Sequence, residues 1–437
     1  MGVCNTPYIA MKIVTHFLSQ LRHQQYLIAF SGGLDSTALL SLMAKARENQ
    51  PHLQLRAVHI HHGLNPNADQ WVKHCEQVCH QFDIPLIIRK VKVNQGNGIE
   101  HGARLARYQA IAEIRLMDEI VVTAHHLQDQ TETFFLALKR GSGLQGLSAM
   151  QPYSELYGMP IFRPLLIWQR EQLVQYITSE KLSWIEDDSN ADNRYERNFL
   201  RNQILPALRQ RWQHFDQMVV RSAQHCYQQQ QLIHQLLADD FQQNFDKNHR
   251  TFSLVQFTKY NELTQKALLR MWLTELKQHM PSIVQLEQII QDVILARADA
   301  NPQYHLVDKV IRRYQQKLYL TADFENVNDF TALLTPEQKC ILPDNIGSLV
   351  IQKKTSVYTA VWQGEQGLQQ LELPLTAQTI SVKFAYSGSV CLKGEKINRD
   401  IKKIWQQLNV PVWQRQRIPL IFYDNKLQGA VGFFTTA

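Results

Sequence analysis

Tyr26–Leu40 reads YLIAFSGGLDSTALL, and the rest of the chain is organised around it. Tyr26–Phe30 is an apolar, aromatic and branched run with the character of a buried strand. It passes directly into Ser31-Gly32-Gly33-Leu34-Asp35-Ser36 and then into Thr37–Ala46, whose composition is helical. Strand, glycine turn and helix together aim backbone N–H groups and a helix N-terminus at one anion. Gly32 and Gly33 permit positive φ and leave no side chain between main chain and phosphate. Ser31, Ser36 and Thr37 add hydroxyl donors. A plain strand-to-helix turn with capping serines is the competing reading, but an uninterrupted run of small residues in this setting favours phosphate. The loop is not of the Walker type, since G-x-x-x-x-G-K-[ST] occurs nowhere in the chain.

Working outward, Met11–His23 has helical spacing of apolar residues and should pack beside the first strand. Leu55–Ile60 reads as a second strand running into His59-Ile60-His61-His62-Gly63-Leu64. Ala68–Phe82 is helical, Leu86–Val93 a third strand, Glu100–Met117 a helix. Glu119–Ala124 is a fourth strand ending in His125-His126, and Asp129–Arg140 is helical. Strands alternating with helices predict an α/β fold with a doubly wound parallel sheet, whose ligands lie at the carboxyl ends of the strands. SGGLDS, HIHHGL and AHHLQDQ all follow strands, so they should meet in one crevice. His59 and His62 are expected to donate hydrogen bonds to a nucleotide there. The histidines lack the further ligands of a zinc site. Gly141–Gly146 spells G-x-G-x-x-G, but it follows a helix rather than a strand and reads as a loop.

The 437 residues allow two or three domains, with 44% apolar residues as in soluble proteins. Lys and Arg exceed Asp and Glu by 46 − 39 = 7, a mild lean towards a polyanionic partner. Six cysteines form no C-x-x-C pair, which argues against disulfides or a zinc ribbon and for a reducing cytoplasm. Cys75 and Cys79, four apart, read as packing residues. No apolar run reaches the roughly 18 residues of a membrane span, and the match of Met1–Thr6 to a loose myristoylation pattern is read as chance.

Past Pro164 the character changes. Gln169–Lys181 reads as a helix, followed by the acidic loop Trp184–Asn190. Arg194, Arg197 and Arg201 then recur at i, i+3 and i+7, which predicts three guanidinium groups on one helical face. Glutamine-rich amphipathic stretches, Gln213–Gln243 and Asn261–Ala298, suggest a helical middle domain. Gln303–Leu320 reads as a hairpin carrying Lys309, Arg312, Arg313 and Lys317, with Thr321–Thr335 as a linker. The last hundred or so residues read as short strands around a helix at Arg399–Leu408, a small α+β domain. Lys393–Arg417 holds seven basic and two acidic residues, with Trp405 and Trp413 interleaved. That mixture can hold phosphates and stack on bases, although such tryptophans are more often core.

SGGLDS resembles the pyrophosphate loop of the ATP pyrophosphatase superfamily, whose members have a Rossmann-type, adenine nucleotide α-hydrolase-like sheet. VHIHHGLN (58–65), GIEHGARLARY (98–108), TAHHLQDQTETFFLALKRGSG (123–143), IEDDSNADNRYERNFLR (185–201) and IKKIWQQLNVPVWQRQRIPLIF (401–422) narrow the resemblance, over nearly the whole chain, to the tRNA(Ile)-lysidine synthases. The chain departs at Gln128, where the family usually has an acid beside the one at Asp129. The resemblance implies a catalytic domain over residues 1–215, a mainly helical tRNA-binding domain over 216–322 and an α+β tRNA-binding domain over 335–437. It implies that ATP adenylates the wobble cytidine of the CAU anticodon of tRNA(Ile), and that L-lysine then displaces AMP. Ser31, Gly32, Gly33, Leu34, Asp35 and Ser36 would cradle ATP, with Asp35 and Asp129 holding Mg²⁺. Asp129 and Glu132 would receive the lysine amine. Arg104, Arg107, Arg194 and Arg197 would face phosphate charge, Arg194 as a catalytic group, while Arg312 and Arg313 would hold tRNA. The alternative, tRNA thiolation with the same ATP chemistry, needs a reactive cysteine near the crevice.

Overall fold

The computed structural model describes residues 6–63, 65–92, 99–365, 367–376 and 378–437; Cys4 and most of the Met1–Thr6 pattern, Leu64 and Gly98 lie outside them. The chain forms two compact units, Met1–Gln235 and Leu236–Ala437.

The first unit runs α1 (Thr6–Gln20), β1 (Gln25–Ala29), α2 (Leu34–Asn49), β2 (Gln54–His61), α3 (Ala68–Gln81), β3 (Leu86–Lys90), α4 (Ile99–Ile114), β4 (Ile120–Val122) and α5 (Leu127–Lys139). It continues through α6 (Leu144–Leu147), β5 (Tyr153–Leu156), β6 (Met159–Phe162), α7 (Arg170–Ser179), α8 (Glu196–Phe199), α9 (Leu205–Arg211) and α10 (Phe215–Leu236). The strands form one sheet in the order β3-β2-β1-β4-β6-β5, parallel except for β5. The chain steps outward from β1 to β3, then crosses back to β4 on the other side of β1. The crevice of a doubly wound sheet opens at that reversal.

Alternation along β1 explains the two layers. Tyr26 and Ile28 face a core with Ile13, Phe17, Leu39, Cys75, Cys79 and Tyr176, drawn from α1, α2, α3 and α7. Leu27 faces the opposite layer with Tyr108 and Ile111 of α4 and with Val58, Val121 and Ile161. Helix α2 is buried on nearly every side, because α1 and α7 flank it. Its position behind the glycine turn is therefore rigid.

In the second unit the middle segment is not only helical. Helices Glu262–Glu275 and Ile283–Gln288 pack through Trp272 and Leu286, and the π-helical turn Ile289–Ile294 through Ile289, onto Phe252, Ile311 and Leu318 of a five-stranded sheet. The expected basic hairpin is Lys309–Tyr314 paired with Lys317–Ala322. Three further antiparallel sheets follow, of five, four and two strands, the first two sharing a core of Ile351, Leu373, Val382 and Ile421. Thr331–Leu333, inside the expected linker, is a strand paired with Lys383–Ser381. The strands Val357–Gly364 and Gly367–Pro374 pair antiparallel over their full length.

Candidate active site

Phe30 donates its N–H to Val58, extending the sheet up to the loop. Gly32 sits at φ +85° and its carbonyl accepts the N–H of Ile185 at 2.9 Å. A Cβ there would lie 2.6 Å from Ile185 Cδ1 and 2.8 Å from Cys75 Sγ. Gly32→Ala should therefore combine left-handed strain of about 1–2 kcal/mol with a clash against packed neighbours. Its expected signature is a lowered Tm and loss of ATP binding by calorimetry.

The Ser36 and Thr37 hydroxyls both donate to the Gly33 carbonyl at 3.0 Å, and Ser31 Oγ lies 3.0 Å from Ser36 Oγ. These bonds set the shape of the turn. No side chain caps the N-terminus of α2, so its first N–H groups are left for an anion.

Helix α5 starts with His126, whose Nδ1 accepts the Gln128 N–H while its own N–H donates to Asp129 Oδ2 at 2.9 Å. With Nδ1 accepting, Nε2 carries the proton. It points between Asp35 Oδ2, 3.7 Å away, and Asp129 Oδ2, 3.5 Å away. His126 thus joins the phosphate loop to α5, a role that its strand-end position alone does not reveal.

The two aspartates differ. Burial, reinforced by Asp129, holds the Asp35 carboxyl above its usual range against the pull of His126, and Asp35 Oδ1 is buried without a hydrogen-bond partner. Burial also works against ionised Asp129, but His126, His125 and Arg201 outweigh it and keep that carboxyl below its usual range. Asp129 is engaged on both oxygens, since Oδ1 accepts from Arg201 Nη2 at 3.1 Å. The uncommitted oxygen of Asp35 suits a cation. Among the described residues no group of three His, Cys, Asp or Glu side chains is arranged to hold a metal ion by itself, so an ion would take most ligands from water and phosphate, as Mg²⁺ does.

Glu132 corrects the expectation of an open pocket for an amine. It is fully buried, and Arg201 grips it with Nε at 2.7 Å and Nη2 at 2.9 Å. Arg197 stands 3.6 Å away and donates to Thr133. Arg194 is a second correction. It lies in the turn before α8, its side chain is 87% exposed, and it pairs with Asp192 at 2.7 Å. Three arginines do not share a face, because the helix begins only at Glu196; Arg197 and Arg201, four apart, do the work instead. Arg201 lies in a π-helical turn, Leu200–Ile204, a feature common at functional sites.

His59 is a third correction. Its Nδ1 lies 3.0 Å from the Phe30 carbonyl and 3.3 Å from Cys75 Sγ, so it ties the strand ends together. His62 keeps a buried Nδ1 without a partner among the described residues and is held neutral, its pKa lowered to about 4 by burial and then by Arg107. Arg107 is exposed, and Arg104 lies 5.2 Å from the Tyr108 ring. Gln128, in place of an acid, turns to α7, where it accepts the Arg170 N–H and donates to Glu171. The Gly141–Gly146 motif forms a turn and the short α6.

Arg312 and Arg313 are not free for tRNA. Arg312 is 7% exposed, bonded to Thr321 and Gln303 and set against Phe324 and Trp413. Arg313 donates to the carbonyls of Ile294, Ala296 and Arg297. Trp405 and Trp413 are core residues. Within Lys393–Arg417 the exposed cations are Lys393, Lys396, Lys402 and Lys403. Arg312→Ala should lower Tm and leave the salt dependence of tRNA affinity unchanged. Lys402→Ala with Lys403→Ala should flatten that log–log slope by about 2 if both meet phosphates.

A PP-loop domain model matches residues 7–208, a TilS substrate binding domain model 252–319, and a TilS substrate C-terminal domain model 380–437. A tRNA(Ile)-lysidine synthase of Actinobacillus succinogenes is 57% identical over 97% of this chain and 99% of its own. The chain belongs to the tRNA(Ile)-lysidine synthase family. A Haemophilus influenzae member is 56% identical over 95% of this chain and 96% of its own. A solved structure, the U34-tRNA thiolase NcsA from Methanococcus maripaludis, covers 50% of this chain and 79% of its own, at 13% identity and a TM-score of 0.43, too distant to bear on function. Among the described residues the cysteines beside the loop do not suit thiolation either: burial pushes the Cys75 and Cys79 thiols up to about 12.

Proposed function

We propose that this chain is an ATP-dependent carbon–nitrogen ligase that joins L-lysine to C2 of the wobble cytidine of the CAU anticodon of tRNA(Ile). In the first step the cytidine C2 oxygen attacks the α-phosphate of ATP, forming a C–O–P linkage and expelling pyrophosphate. In the second the lysine ε-amine attacks C2, the C2–O bond breaks, AMP leaves and the amine loses a proton. The observation that carries the reading is the uncapped N-terminus of α2 at the sheet reversal, with the free oxygen of Asp35 beside it. The loop N–H groups and Ser31 would bind the β- and γ-phosphates and hold the pyrophosphate as it leaves. Asp35, seconded by Asp129, would hold Mg²⁺, which supplies charge neutralisation on the triphosphate. His62, Arg104, Arg107 and Arg197 would face the remaining phosphate charge.

Asp129 and Glu132 would act on the amine only once Arg201 gives up part of its grip, since together they now form a closed ionic cluster. The division into a catalytic part (1–215) and two tRNA-holding parts (216–322 and 335–437) belongs to the same proposal, with Lys393, Lys396, Lys402 and Lys403 on the tRNA. Among the described residues no helix is long and apolar enough to cross a membrane, and a cytoplasmic site of action is part of the reading. Incubation with ATP, Mg²⁺, labelled lysine and total tRNA tests it. Label fixed in RNA, released as lysidine on nuclease digestion, is the expected result, and label in no RNA overturns it.

A further inference from the structure

Helices α5 and α8 enclose a recess of about 440 Å³ lined by Phe135, Leu138, Lys139, Glu196, Phe199 and Leu200. Leu138 and Phe199 remain 53% and 42% exposed, so apolar surface is left open at its mouth. Lys139 and Glu196 pair across the rim at 2.6 Å. The apolar lining continues outward as rings: Phe135 lies 6.0 Å from Phe215, and Phe215 stacks on Trp212 at 5.8 Å. Trp212 is itself exposed. An apolar run of partly buried rings whose ends, Phe199 and Trp212, are open to solvent marks a binding surface rather than a spare core.

The recess adjoins the acid–arginine cluster. Glu132, Phe135 and Lys139 stand at i, i+3 and i+7 on one face of α5, and the rise from Glu132 to Lys139 is about 10 Å. Across the recess, Phe199 and Leu200 fall between Arg197 and Arg201, the two residues that approach Glu132.

We infer that this recess receives a nucleobase of the tRNA anticodon loop, one flanking the reacting cytidine, stacked on Phe199 and Phe135. The inference rests on the proposed function. Stacked neighbours in a strand are about 3.4 Å apart, so a base one or two nucleotides from the reacting one reaches the Phe135 end of the recess, about 4.5 Å along α5 from Glu132. Unpaired loop bases are commonly splayed out and held on aromatic rings. Lys139 and Arg140, exposed at the end of α5, supply cations for the accompanying phosphates. The amino acid is the poorer occupant, because Glu196, the one carboxylate in the lining, is already paired with Lys139.

Phe199→Ala and Phe199→Trp test the assignment on the full-length enzyme. With Phe199 42% exposed, both should fold with a Tm close to the wild-type value. The alanine variant should raise the tRNA KM about tenfold or more, with ATP and lysine KM unchanged, and tryptophan should restore it. Wild-type enzyme is then assayed on tRNA(Ile) with single abasic replacements on either side of the wobble position. One replacement should cost wild type about as much as Phe199→Ala does and cost the alanine variant nothing more. Losses that simply add at every position overturn the inference. So does a rise in lysine KM alone, which would make the recess an amino-acid pocket. So does an unchanged tRNA KM with altered sedimentation, which would make it a contact between copies. If wild type makes no lysidine on intact tRNA, the proposed function fails first; failure of the coupling alone leaves that function standing.

Discussion

Asp35→Asn is expected to slow pyrophosphate release from ATP by about a hundred- to a thousandfold, the effect of deleting one preorganised charge at a developing anion. The fold should survive. Asp35 lies on the first turn of α2, a third of its side chain is exposed, and its carboxylate accepts no hydrogen bond from a described residue. Its loss therefore removes nothing that holds the sheet to the helix. Ser36→Ala should cost less, because its buried hydroxyl shapes the turn through the Gly33 carbonyl and Ser31. One such bond contributes about 1 kcal/mol net. Pyrophosphate release from labelled ATP in the presence of tRNA, with lysine omitted, measures both. A near-normal rate in Asp35→Asn would remove this carboxylate from the metal and phosphate chemistry.

Arg201→Ala should be the most damaging substitution for stability in the crevice, at about 3 kcal/mol. Glu132 would keep its buried charge with only Arg197 nearby, and Asp129 would lose the donor on Oδ1. Access of water through the space vacated by a side chain that is one-third exposed holds the loss at the lower end of the range for a buried pair. Arg201→Lys keeps the charge but not the two-pronged geometry, and should fall in between. Adding Glu132→Gln to Arg201→Ala should recover much of the loss, because the stranded charge goes with it. Denaturant midpoints for the two single variants and the double give the coupling energy. A coupling near zero would show that the bidentate contact contributes little. For catalysis, Glu132→Gln should let adenylated tRNA accumulate and should slow AMP release. Failure already at adenylation would move Glu132 into the ATP half of the reaction.

Much of this protein was legible from local pattern. Alternating strands and helices require a parallel sheet, and the run from Tyr26 to Ala46 requires a tight turn between a buried strand and a buried helix. Those are properties of neighbouring residues: β1 must present Tyr26 and Ile28 to one layer and Leu27 to the other, whatever lies further along the chain. The crevice clusters were legible for the same reason, since a residue just past a parallel strand can only sit at that strand's carboxyl edge.

What the tertiary structure decided is the partner of each charge. Arg194, Arg197 and Arg201 are equivalent by spacing, yet the helix starts at Glu196, so one stays in solvent with Asp192 while Arg201 closes on Glu132 and Asp129. Arg312 and Arg313 look like a basic patch in a hairpin without acids, but their donors go to Thr321, Gln303 and helix-end carbonyls, sources of negative charge that residue counting omits. Asp35 and Asp129 are the same residue type at the same crevice. Only the fold leaves one with an empty oxygen and gives the other two donors. A side chain's chemistry is written locally, but its ionic partners arrive from 70 or so residues away, because the Coulomb energy of a desolvated charge depends on which opposite charge packing brings within about 4 Å.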